Sequence, residues 1–218
     1  MLHNVCLKYF RNTSSIMSTE TETKADALLR LARNGPVRAR DLEAEGIPRT
    51  YLKRLSDQGL LERIARGLYR LADAPLTELS SLADVSKRVP HAVVCLLSAL
   101  QVHGMTTEAP HAVWLLIDRH ARVPRLASPQ LEVVRASGAA RTHGIETRTI
   151  DGVKVPLTTP AKTVADCFRF RRHVGLEVAI AALKDYLRLR KGSVDALVAA
   201  ARADRIYAFM RPYLEALV

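Results

Sequence analysis

The 218-residue sequence predicts an α+β protein. An N-terminal winged helix-turn-helix is followed by a mixed C-terminal domain with a small β-sheet and several α-helices. Three observations predict this. Residues 24–75 read in the order helix, short helix, helix, β-hairpin, which is the order of a winged helix. From residue 76 onward, strand-like runs are interspersed with amphipathic helical ones, so the remainder is mixed. The basic excess is also local: residues 24–72 hold 11 basic and 6 acidic side chains, whereas residues 73–161 hold 9 and 8. The expected division is a flexible extension over 1–23, a DNA-binding module over 24–75 and a second domain over 76–218.

The elements of the first module follow from spacing. Ala27, Leu28, Leu31 and Ala32 recur at helical intervals from Lys24, and Asn34-Gly35-Pro36 stops that helix. Val37 to Ala39 is a short extended link. Asp41 to Glu45 reads as a short second helix with Leu42 inward, ended by Gly46. Pro48 opens a third helix, Arg49 to Gln58, and Gly59 stops it. Leu60 to Ile64 and Leu68 to Leu71 are β-like runs joined through Gly67, which suits a hairpin turn.

The third helix is the candidate recognition element. Leu52 and Leu55 share one face and pack inward, leaving Arg49, Thr50, Lys53 and Arg54 on the other, in two i,i+4 pairs. A polar basic face in the N-terminal half of such a helix is what enters the major groove. The hairpin adds Arg63, Arg66 and Arg70, with Arg66 at a tip that can reach phosphates or the minor groove. The candidate DNA-contacting residues are therefore Arg38, Arg40, Arg49, Thr50, Tyr51, Lys53, Arg54, Arg63, Arg66 and Arg70.

The second domain begins with a helix over Thr77 to Val89. A mostly apolar helix over Ala92 to Gln101 follows, then strands at His111 to Asp118 and Gln130 to Ala136. Ile145 to Ile150 and Val153 to Leu157 flank Asp151-Gly152, a strong hairpin signal. Thr158-Thr159-Pro160 caps a helix over Ala161 to Arg171, and three further helices cover Gly175 to Leu189, Val194 to Ala203 and Ile206 to Leu217.

Bulk composition narrows the function. Lys+Arg 33 against Asp+Glu 22 gives a net charge of +11, and 25 of those bases are arginine. Such an excess implies a polyanion or an acidic protein as partner. The longest apolar run, Ala92 to Leu100, is about half of the roughly 18–20 residues that a bilayer span needs, so no membrane association is expected. The N-terminus lacks the pattern of a signal peptide, and Met17 reads as a natural start. Cys6, Cys95 and Cys167 stand far apart, so reduced thiols in a cytoplasmic protein are expected, with Cys95 and Cys167 in the core.

Four strings carry a resemblance: RGLYRL (Arg66 to Leu71), VVCLLSALQVHG (Val93 to Gly104), AVWLLID (Ala112 to Asp118) and VPLTTPAKTVADCF (Val155 to Phe168). Together they resemble the AbiEi antitoxins of type IV toxin–antitoxin systems, which act in abortive phage infection. The resemblance implies a bacterial repressor that binds operator DNA through its winged helix and autoregulates its operon. It also implies antagonism of a nucleotidyltransferase-like toxin, with no stable complex required. The family's C-terminal motif maps onto Thr159, Pro160, Lys162, Thr163, Val164, Ala165 and Asp166, with Asp166 read as a helix-surface or capping residue. An inverted-repeat operator occupied by two copies of a protein that is monomeric in solution fits one recognition element per chain.

A second basic cluster, Lys162, Arg169, Arg171, Arg172, Lys184, Arg188 and Arg190, is a candidate surface for further DNA contacts or for an acidic or RNA partner. Phe168 and Phe170 cannot both centre on one helix face, so one of them is a candidate for exposure. No catalytic, cofactor or metal site is expected. Phosphate-loop and nucleophile-elbow motifs are missing from the sequence. His91, His103, His111, His120, His143 and His173 lack metal-ligand spacing and read as surface or cap residues. The nuclease alternative would use Asp118 with Glu132 or Glu146, but the lysine such a site favours is not beside them. The other alternative is a ligand-responsive regulator without a toxin.

Overall fold

The computed structural model describes residues 23–75, 77–107 and 109–218. The predicted extension lies outside these residues, except for Thr23, which belongs to the fold. Thr23 accepts a hydrogen bond from the Asp26 N–H, and Asp26 accepts one from the Thr23 N–H. This reciprocal cap opens α1, Lys24–Arg33, whose Leu28 and Ala32 are buried.

Strand β1 is Val37–Arg38, α2 is Thr50–Asp57, β2 is Leu61–Ala65 and β3 is Leu68–Leu71. The predicted link at 37–39 thus supplies a strand. It pairs antiparallel with β3, giving a three-stranded sheet in the order β1-β3-β2. The short helix expected over Asp41 to Glu45 is instead a run of turns. Its backbone bonds span three residues, as in Glu45 N–H to Leu42 O and Gly46 N–H to Glu43 O. Five residues before Gly46 are too few to establish an α-helical ladder. Leu42 still points inward and joins Leu28, Leu52, Leu55 and Leu61 in the core of this module.

The second part comprises α3 (Ser80–Arg88), β4 (Val93–Val94), α4 (Leu96–His103), β5 (Val113–Asp118) and β6 (Leu131–Ala136), then α5 (Ala139–Thr142), β7 (Ile145–Ile150), β8 (Val153–Thr158) and α6 (Pro160–Arg169). Helices α7 (Arg171–Val174), α8 (Leu176–Arg188), α9 (Val194–Ala203) and α10 (Tyr207–Glu215) close the chain. The run Ala92 to Gln101 is therefore not one helix: its first residues form β4, the central strand of a mixed sheet ordered β6-β5-β4-β8-β7. A strand buried on both faces is apolar throughout, so its period is invisible in the sequence.

Alternation places side chains on both faces of this sheet. Val113, Leu115, Ile117, Val153, Val155 and Leu157 pack with Leu82 and Val85 of α3. Trp114 and Leu116 face a larger core shared by α4, α6, α8, α9 and α10, where Cys95 and Cys167 are both buried. The result is a sheet with α3 on one face and the larger group of helices on the other.

The two parts meet at a pair of turns. The Asp151-Gly152 tip of the β7–β8 hairpin lies against Asn34-Gly35 at the end of α1. A Cβ on Gly152 would fall 1.3 Å from the Asn34 carbonyl oxygen, and one on Gly35 would fall 2.3 Å from that of Asp151. The Asp151 carboxylate accepts hydrogen bonds from Ser80 Oγ at 2.5 Å and Thr77 Oγ1 at 3.3 Å. Lys87 of α3 pairs with Asp41 at 3.2 Å, giving a second link.

Candidate nucleic-acid interface

Burial of Leu52 and Leu55 fixes the rotation of α2 and turns Thr50, Lys53 and Arg54 to solvent. Tyr51 is half-buried, with the Arg54 guanidinium 5.9 Å from its ring centre. Arg49, just before the helix, is paired with Glu43 of the preceding turn. The sequence thus located the exposed face of this helix.

The wing follows from the hairpin register, in which Glu62 opposes Arg70 and Arg63 opposes Tyr69. Arg66 is exposed at the tip, and Arg63 is exposed with its Nε donating to the Ala65 carbonyl at 3.3 Å. Arg70 behaves differently. It donates to Glu62 at 2.9 and 3.1 Å, and its side chain is only 18% exposed. Its guanidinium is held across the hairpin and is not displayed.

Arg38, Arg40, Arg49 and Arg66 line one concave surface of about 480 Å³ between β1, the start of α2 and the wing tip. The Arg38 N–H donates to Asp41 at 3.0 Å, and the Arg40 guanidinium lies 3.9 Å from the same carboxylate. Burial weighs against the Arg38 charge, as does its neighbour Arg40, while Asp41 supports it. Two residues from beyond the module, Arg88 and Leu126, complete the concave surface. Sequence reasoning missed Arg88. It stands in the stretch whose charges nearly cancel, and only folding brings it beside the wing.

The second basic cluster is not one surface. Lys162 is fully buried: its ammonium donates to Asp166 one turn along α6, and to Asp204 at 2.8 and 3.0 Å. Asp166 is likewise buried, not a surface or capping residue. The helical spacing of Lys162 suggested a basic face because Asp204, distant in sequence, could not be placed beside it. Arg169 donates to the Asp204 carbonyl at 3.0 Å. Arg171 donates to that of Phe168 at 3.0 Å and lies 4.0 Å above the Phe209 ring. Arg188 pairs with Asp185 at 2.7 Å. Arg172, Lys184 and Arg190 are exposed. Of the two phenylalanines, Phe168 is buried and Phe170 is half-buried.

The carboxylates weighed for a nuclease do not converge. Glu132 pairs in register with Trp114, and Asp118 pairs with Ala136, four residues further along the same ladder. At about 3.3 Å per residue that separates them by roughly 13 Å. Glu146 lies on β7, the opposite edge of the sheet, and pairs with Arg148. Among the histidines, His103 is buried, contrary to the surface reading. Its Nε2 lies 2.7 Å from the Thr158 carbonyl, and burial lowers its pKa.

Fold and exposed basic face together define a winged helix-turn-helix module joined to a second α/β unit. Residues 26–72 match the family model described as "Transcriptional regulator, AbiEi antitoxin". Over these residues the first module is thus similar to the transcriptional-regulator module of that family, and the AbiEi resemblance is matched there. The crystal structure of the RV2827C protein from Mycobacterium tuberculosis is similar in fold, with a TM-score of 0.57 at 16% identity. The match covers 88% of this chain and 80% of that one. No curated protein matches the chain.

Proposed function

We propose that the chain is a transcriptional repressor that autoregulates its operon and serves as the antitoxin of a type IV toxin–antitoxin system. In this reading it has no enzymatic activity, uses no cofactor and works in the cytoplasm. It counters a nucleotidyltransferase-like toxin without forming a stable complex. The carrying observation is the solvent-facing Lys53 and Arg54 on a helix whose rotation is fixed by Leu52 and Leu55, beside an arginine-tipped wing. Phosphate contacts from the wing would set register while α2 reads base edges. The antitoxin half is supported by the family match over residues 26–72.

The test is a mobility-shift assay on the DNA upstream of the gene. Wild-type protein should shift an inverted repeat, and two copies should occupy it. Replacing Arg49, Lys53 and Arg54 with Glu should abolish the shift, and unchanged binding would remove α2 from the interface. Co-expression with a neighbouring nucleotidyltransferase-like gene should rescue growth.

A second reading, a ligand-responsive regulator, is favoured by a cavity of about 370 Å³ where the two parts meet, lined by Arg33, Arg70, Asp84 and Asp151 among others. Burial raises the Asp84 pKa there, against the pull of Arg70 and Arg88. A metabolite that raises the melting temperature and releases DNA would support it.

A further inference from the structure

The arginine-lined concavity has features that a simple track along a duplex does not need. DNA backbone presents its charges along an extended line, and cations spaced along a shallow surface suffice to neutralise them. Here Arg38, Arg40, Arg49, Arg66 and Arg88 line one open concavity of about 480 Å³. Leu126 supplies part of an apolar wall. The carboxylates nearby are already engaged: Asp41 accepts from Lys87 and from the Arg38 N–H, and Glu43 is paired with Arg49. Arg88 is held by a neutral partner on one side, since its Nη1 donates to the Ser128 carbonyl at 2.5 Å, and it also acts on the Asp84 carboxyl. Guanidinium forks suit phosphate oxygens in number and geometry.

We propose that this hollow is a polyphosphate site at the junction of the two parts. It takes linked phosphate groups, either from the backbone of bound duplex or from a free nucleoside polyphosphate. The two occupants exclude each other. Only this exclusion rests on the DNA-binding reading; the site itself stands on the arginines that line it, Arg66 and Arg88 foremost, since Arg49 is held by Glu43. A nucleotide in the hollow therefore releases the operator. Because Arg88 comes from α3, binding also depends on how the winged module sits against the second part.

The experiment uses the full chain and isothermal titration with sodium tripolyphosphate, GTP and ATP. Tripolyphosphate should bind once per chain. Arg66→Gln and Arg88→Gln should each weaken it about tenfold, as removal of one charge-assisted donor implies. Arg172→Gln, exposed and remote from the hollow, should leave it unchanged. Arg66 is an exposed tip residue, so its variant keeps the test valid even if Arg88→Gln loosens the loop it holds. Tripolyphosphate should also displace operator DNA in the mobility-shift assay. Absence of saturable tripolyphosphate binding, or equal binding by both variants, overturns the site and leaves the regulator reading intact. Failure of wild-type protein to shift the operator, with tripolyphosphate still binding, overturns the regulator reading instead. A nucleoside triphosphate that binds no tighter than tripolyphosphate overturns the free-nucleotide half and leaves the duplex as the source.

Discussion

Lys162 meets two carboxylates and no solvent, so the group it forms with Asp166 and Asp204 carries one charge too many unless a proton is retained. Burial and the neighbouring Asp204, against the pull of Lys162, together raise Asp166 to about 8. Its second oxygen has no hydrogen-bond partner among the described residues. The folded chain therefore holds a proton that the unfolded chain releases near the ordinary value of 3.8. Stability should fall as pH rises from there to about 8. Urea denaturation at several pH values reads this slope, and Asp166→Asn should flatten it; a slope that survives the substitution assigns it to another group. Lys162→Met is the harsher change, because it strands the buried Asp204 carboxylate and takes the donor from the Asp166 carboxyl. It should cost about 3–5 kcal/mol in the same assay at neutral pH.

At the scale of elements, the amphipathic ones were legible. Leu52 and Leu55 gave α2 and its exposed side, and Asp151-Gly152 gave the β7–β8 hairpin. Strand β4 was hidden because Val93 and Val94 are buried on both faces and resemble the helix that follows. The basic face expected on α6 failed for a non-local reason, since the residue that draws Lys162 inward comes from the end of α9. Arg88 was illegible as a site residue for the same reason. The hairpin was readable, but the purpose of its tip was not. Gly152 adopts φ +70°, and a side chain there meets the Asn34 carbonyl. Gly152→Ala should therefore destabilise by about 1–3 kcal/mol, measured by chemical denaturation. A neutral result would show that the two turns separate without cost.

For the whole molecule, the +11 charge is better described by geometry than by segment. Part of it gathers where the wing, β1 and α3 approach one another, and part of the second cluster is neutralised internally by Asp204 and Asp185. The same contacts predict how the chain melts. Trp114, the sole tryptophan, reports on the second part, whereas far-UV circular dichroism reports on both. Interlocked turns and the Lys87–Asp41 pair should make the two signals change together in a single transition. Two separate transitions would show that the winged module melts alone.

The interlocked turns also limit how such a protein can be rearranged. A chimera that takes its winged helix from one relative and its remainder from another would inherit only one of the two tips. Unless its new partner left the same room beside the Asn34 carbonyl, the halves would be held apart. The exchangeable unit is thus not the DNA-binding module by itself but that module together with a two-residue hairpin tip encoded far downstream.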